Sequence, residues 1–159
     1  MHDSDCGRMA RREIKASAHQ PGLVEYASPE PSAFAEILGG LIEANVLARP
    51  EKRLDFEKLV ARVGISATDI DESVTLAFDA GRLTVHNGLV RGRTITIRAD
   101  SDTVMSLSNL KIGIWGLPVY FDEVGRGVVV KLVRGKLKIE GLLLNVATLN
   151  RVTRIFSVQ

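Results

Sequence analysis

Gly135-Lys136-Leu137-Lys138-Ile139-Glu140-Gly141 runs into Leu142-Leu143-Leu144-Asn145-Val146-Ala147-Thr148-Leu149-Asn150-Arg151-Val152-Thr153-Arg154-Ile155-Phe156, a strand pattern followed by a helix pattern. Side chains alternate along a strand, so Leu137 and Ile139 share one face and Lys136, Lys138 and Glu140 the other. Glycine bounds the strand on both sides. The period then changes. Leu142, Val146, Leu149, Val152 and Phe156 fall on one helical stripe, widened by Leu143, Ala147 and Ile155. Asn145, Thr148, Arg151 and Arg154 lie on the opposite side. A stripe this broad can close a core, cover a ligand cavity or bind a partner, and for any one residue core packing is the simplest role.

Upstream, Ser32 is placed to cap a helix that carries Phe34, Ile37, Leu38, Leu41, Ile42 and Val46 at helical spacing. Pro50 interrupts it. A second helix is predicted over Glu51–Val63, with Leu54, Leu59, Val60 and Val63 inward and Gly64 as its stop, followed by a polar connection over Ile65–Glu72. The period then falls to two. Val74, Leu76 and Phe78 alternate with polar or small neighbours, as do Leu83 and Val85, then Ile95 and Ile97. Turn signals at Asp79-Ala80-Gly81 and Asn87-Gly88 separate them. Three half-polar strands in a row predict an antiparallel meander with one wet face. Asp100 or Ser101 caps a short helix through Leu107, and Asn109–Gly127 reads as an aromatic, glycine-rich loop.

The 159 residues suffice for one domain with a core, with 45% hydrophobic and 25% charged side chains. Residues 1–31 are polar and proline-punctuated and read as a disordered extension, leaving 32–159 as the domain. No apolar run approaches the roughly 20 residues a membrane span needs, and the N-terminus lacks the apolar core of a secretory signal. The single cysteine, Cys6, has no partner for an internal disulfide. A reducing, cytoplasmic setting is the expectation. The net charge of +2 is uneven: residues 126–159 hold seven basic side chains against one acidic, Glu140. Such an end suits peripheral contact with an anionic membrane.

Enzyme signatures are weak. His86 is the one histidine within the predicted fold and sits on the solvent face of a strand. There is no Gly-x-Ser-x-Gly elbow and no Cys or His cluster with metal spacing. Asp69-Ile70-Asp71 and Asp100-Ser101-Asp102 lack the continuation of a calcium loop and read as turn and capping residues. Aromatic residues at 5% supply few stacking platforms, so nucleic acid is the least supported partner, resting on Lys136, Lys138, Arg151 and Arg154 alone.

The order of these elements resembles the sterol-carrier-protein-2 (SCP2) domain family. The resemblance lies in the amphipathic helix from Ser32, the hairpin Val74-Thr75-Leu76-Ala77-Phe78-Asp79-Ala80-Gly81-Arg82-Leu83-Thr84-Val85, the strand-to-helix step Thr94–Leu107, and the Gly135–Gly141 strand with its helix. It covers about residues 33–158. The Leu142-Leu143-Leu144 run and the aromatic Asn109–Gly127 segment depart from the family pattern. The resemblance implies an α+β fold with a five-stranded, mainly antiparallel sheet, helices covering one face and an apolar tunnel between them. Leu76, Phe78, Ile95 and Ile97 would line the sheet side. Val104, Leu107, Leu149, Val152 and Phe156 would line the helical side, and Trp115, Tyr120 and Phe121 the mouth. The implied role is non-catalytic binding or presentation of a fatty acyl, sterol-like or isoprenoid/quinone-type lipid, without a cofactor and with an enzyme as a further partner. The alternative is an interaction module of a lipid-pathway enzyme complex with a filled core and no ligand.

Overall fold

A computed structural model describes residues 22–108 and 137–157. Its centre is a six-stranded sheet in the order β1-β4-β3-β2-β5-β6. The strands are β1 (Val24–Tyr26), β2 (Val60–Ala67), β3 (Glu72–Asp79), β4 (Arg82–Asn87), β5 (Ile95–Ala99) and β6 (Lys138–Glu140). The helices among the described residues are α1 (Ala33–Ala48), α2 (Pro50–Lys58), α3 (Ser101–Ser108) and α4 (Val146–Phe156), with a 3-10 turn at Leu142–Leu144. The class is α+β, as expected. Among the described residues the sheet has six strands where five were expected, and it is mixed: β1–β4 and β2–β5 pair in parallel, the others antiparallel.

The β3–β4 hairpin forms as its alternation predicts. Ala80 and Gly81 both have positive φ, 42° and 95°, the geometry of a tight two-residue hairpin turn. The third strand does not continue a meander. The chain from Asn87 crosses the polar face of the sheet, and β5 pairs in parallel with β2, so that Ile95 opposes Val63. The crossing is held by Thr75, whose hydroxyl donates to the Gly88 carbonyl at 2.9 Å and accepts from the Val90 N–H at 3.0 Å. Those bonds satisfy backbone groups that a close crossing would otherwise leave unpaired.

The helix expected over Glu51–Val63 ends at Lys58, and Val60–Ala67 is a strand rather than a helix end and a polar connection. Ala61, Val63, Ile65 and Ala67 are buried at period two, whereas Leu54 and Val60 are 56% and 70% exposed. Gly64 is no helix stop. A Cβ there would lie 2.6 Å from Arg93 Cδ and 3.0 Å from Leu89 Cδ2, so its hydrogen admits the crossing loop to the sheet. Phe56 faces inward instead and meets Phe78 edge-on, with ring centroids 6.0 Å apart. Val24–Tyr26, within the stretch read as an extension, adds an edge strand beside β4.

On α1, Phe34, Leu38, Ile42 and Val46 are buried as expected, while Ile37 is exposed. Ser32 caps the helix by accepting from the Ala35 N–H at 3.2 Å. Asn45 shares the buried face. Its amide donates to the carbonyls of Ile155 at 3.0 Å and Phe156 at 2.8 Å, the unpaired end of α4. The Lys52 ammonium donates to the Ser157 carbonyl just beyond. Arg154 pairs with Asp55 at 2.9 Å. Two helices thus hold the C-terminal end of a third through polar groups. The capping roles read for Asp100 and Asp69 are also seen: Asp100 accepts from Thr103 N–H at 2.6 Å, and Asp69 accepts from the Ser101 N–H and hydroxyl at 2.7 and 2.6 Å.

Two outcomes follow from these contacts. Asn45→Ala removes the donor of two carbonyls in the core, and urea denaturation is expected to show a loss of about 1–3 kcal/mol; an unchanged midpoint would contradict the clamp. The Ser101 hydroxyl and N–H hold the Asp69 carboxyl below its ordinary value of 3.8. Its contribution to stability is full above that value and is lost as pH falls through the lower, folded one. Carboxyl NMR titration should find Asp69 below its ordinary value, and Asp69→Asn should flatten the acid limb of the stability curve; an ordinary Asp69 titration would refute the contact.

Candidate functional site

The strand registers place the sheet-side residues of the expected site together. Val63 opposes both Leu76 and Ile95, and Ile65 opposes Ile97, so Leu76, Phe78, Ile95 and Ile97 share the face turned to the helices. All four are buried. From the helices, Val104, Val152 and Phe156 are buried in the same cluster, with Leu149 partly buried against it. Eight of the twelve expected residues therefore converge on one apolar layer between sheet and helices. Trp115, Tyr120 and Phe121 lie outside the described residues, as does the Leu107 side chain. A tunnel is not delineated by the described residues.

Helix α4 explains how this layer is built. Val152, Ile155 and Phe156 pack into the core near its clamped C-terminal end. Towards the N-terminal end, Leu149 is only half covered and Val146 is 58% exposed. Before it, Leu143 and Leu144 are 92% and 91% exposed. The strand does not run directly into the helix as expected. Asn145 intervenes, its side-chain amide donating to the carbonyls of Gly141 at 3.1 Å and Thr94 at 3.3 Å. An Asn that bonds neighbouring backbone competes with helical continuation, which is why a 3-10 turn stands there. The apolar stripe is thus deeply packed at one end and open at the other.

The electrostatics favour the packed end. An ammonium beside the last carbonyls of α4 complements the negative end of the helix dipole. Burial pushes the Lys52 ammonium below its ordinary value, with the neighbouring Arg49 charge acting the same way and Glu51 opposing both. Asn45, Lys52 and Asp55 were not singled out by sequence reasoning. The signal available was Asn45 lying on the apolar stripe of α1, a polar residue where only a bonded one is tolerated.

On the other side of the sheet, Arg91–Thr96 and Glu140–Gly141 line an open cleft of about 390 Å3. Arg93 is held there by its contacts to the Val90 carbonyl and to Thr96 Oγ1, the latter at 3.1 Å. Glu140 pairs with Arg98 at 3.2 Å. Among the described residues, no group of His, Cys, Asp or Glu is placed to hold a metal ion, and no helix is long and apolar enough to cross a membrane. The convergent layer is apolar, and its chemistry is the exclusion of water from hydrocarbon.

No family model matches the sequence, and no curated protein matches it. Solved structures do. A protein described as a UbiJ-SCP2 ubiquinone synthesis protein superposes with a TM-score of 0.54 at 12% identity, over 77% of this chain and 90% of its own. Sterol carrier protein 2 is similar over 79% of this chain and 95% of its own, at 11% identity and a TM-score of 0.49. A conserved hypothetical protein from Thermus thermophilus aligns over 83% of this chain and 94% of its own, at 14% identity and a TM-score of 0.43. At such identities the likeness is one of fold, and the first superposition carries it: the chain has an SCP2-like fold.

Proposed function

We propose that this chain is a non-catalytic carrier or presenter of an apolar ligand, a fatty acyl, sterol-like or isoprenoid/quinone-type lipid. The observation that carries this reading is the asymmetry of α4, whose apolar stripe is fastened over the sheet at its C-terminal end and left open towards Leu149 and Val146. A hydrocarbon chain can be covered where side chains of the protein leave the stripe uncovered. Each buried methylene contributes about 0.8 kcal/mol, so a ten-carbon chain supplies on the order of 8 kcal/mol before association costs. Such affinity needs no polar anchor, in keeping with an apolar layer. The shared fold with a protein of ubiquinone synthesis supports the isoprenoid class and a partner enzyme that receives the ligand. Peripheral contact with an anionic membrane fits the same role, as does a cytoplasmic setting. Leu76, Phe78, Ile95, Ile97, Val104, Leu107, Leu149, Val152 and Phe156 would line the site, with Trp115, Tyr120 and Phe121 at its mouth.

A second reading is favoured by a different observation. Leu76, Ile95 and Val104 are already sealed from solvent. A core filled by its own side chains suits an interaction module of an enzyme complex, its exposed apolar turn meeting the partner.

Titration with fluorescent fatty acids and prenyl lipids separates the two. The carrier reading expects saturable uptake by the full chain, reduced at least about tenfold in Leu149→Asp, whose carboxylate would be desolvated by the bound chain. Circular dichroism should show that variant folded, since Leu149 is only partly buried. A folded Leu149→Asp protein with normal uptake would remove Leu149 from the site, and a wild-type protein that ignores every probe would favour the interaction module.

A further inference from the structure

The turn that joins β6 to α4 holds Leu143 and Leu144 out into solvent, and it is not loosely held. Gly141 has φ of 82° and sits so close to β5 that a Cβ would lie 2.5 Å from the Thr94 carbonyl oxygen. Asn145 fastens the other side of the turn to the same carbonyl at 3.3 Å. The turn is therefore docked on the start of β5, directly after Arg91-Gly92-Arg93. Those residues and Gly141 line one cleft. Among the described residues, Glu140 is the one carboxylate lining the cleft, and Arg98 pairs with it at 3.2 Å. The charges of Arg91 and Arg93 are not offset by any other acid in that lining. Arg62 adds a further cation, its guanidinium reaching the Arg91 carbonyl at 3.5 Å.

Two exposed leucines on a fixed turn beside a basic cleft complement acyl chains lying beneath a layer of phosphates, the leucines by their apolar surface and the arginines by their charge. A second copy of the chain would bring the same cations against these, which opposes self-association through this patch. We propose that the Leu143-Leu144 turn and the Arg91–Arg93 loop form a docking site for the surface of an anionic lipid bilayer. The leucines enter the headgroup–acyl boundary while the exposed Arg91 meets phosphate oxygens, with Arg93 adding its charge from where Val90 and Thr96 hold it. The inference rests on the membrane contact in the functional reading above and needs no ligand cavity. It moves that contact from the basic C-terminal region at large to this turn and loop.

Co-sedimentation of the full chain with vesicles tests it, comparing phosphatidylcholine alone with a mixture holding about one quarter phosphatidylglycerol. Binding is expected to the mixed vesicles, to be weak on the neutral ones, and to fall as salt is raised. Leu143→Ser/Leu144→Ser should weaken partitioning at least about tenfold by removing two inserted side chains. Arg91→Gln should weaken it about fivefold and reduce its salt dependence. All three positions are exposed, so circular dichroism should show both variants folded, and each tests the site without the other. Wild-type binding retained by both variants would overturn this site while leaving a peripheral membrane contact elsewhere intact. A wild-type protein that ignores the mixed vesicles would overturn both. A concentration-dependent dimer abolished by the leucine substitutions would overturn the bilayer as the occupant.

Discussion

The C-terminal end of α4 is held by hydrogen bonds from α1 and α2, and the apolar layer depends on that attachment. A helix end presents carbonyls with no partner inside the helix, and in a core these are costly unless a donor reaches them. Asn45 and Lys52 supply donors, and Asp55 fixes the neighbouring Arg154. The constraint decides where α4 sits: the carbonyls of Ile155, Phe156 and Ser157 are fastened there, and the side chains of Val152, Ile155 and Phe156 pack into the core beside them. It also makes the clamp directional. The Lys52 ammonium has donors and no acceptor, so it can bond a helix's carbonyl end but not its N–H end, and the Asn45 NH2 is turned to the same carbonyls.

With one end fixed by polar contacts, the other end is tied to the sheet by the Asn145 link, and Leu149 and Val146 there are left partly open. Two levels of organisation meet at this point. The alternation of β6 sets which residues face the helices, and the packing of α4 sets how much of its stripe remains open. The same turn that breaks the strand from the helix also brings the exposed leucines next to the arginines of the crossing loop. Binding apolar matter and docking on a bilayer would then be served by adjacent parts of one connection.

Much of this was legible in the sequence where local pattern and tertiary role agree. The β3–β4 hairpin was readable because Val74, Leu76 and Phe78 alternate and Ala80-Gly81 marks the turn. The faces of Leu137, Ile139, Lys138 and Glu140 were readable from alternation alone. The strand β2 was not, because Gly64 imitates a helix stop and its real reason is a loop that packs on it from the far side of the sheet. The parallel pairing of β5 with β2 was equally hidden, since the hydroxyl that steadies the crossing belongs to Thr75, an unremarkable strand residue. The clamp was the least visible. Asn45 and its carbonyl partner Ile155 are 110 residues apart, and nothing local to α1 indicates which helix end its amide will meet. For the site, alternation and helical spacing put Leu76, Phe78, Ile95, Ile97, Val104, Val152 and Phe156 on faces that are buried, but how far α4 covers its own stripe is a matter of packing.

An apolar layer that takes up a lipid should carry one through purification. Native mass spectrometry of the full chain, purified without detergent and followed by organic extraction, tests it most directly. The account predicts a mass above that of the bare chain, with an extractable acyl or prenyl lipid accounting for the difference. A bare mass, with nothing extracted and no uptake on incubation with such lipids, would contradict it.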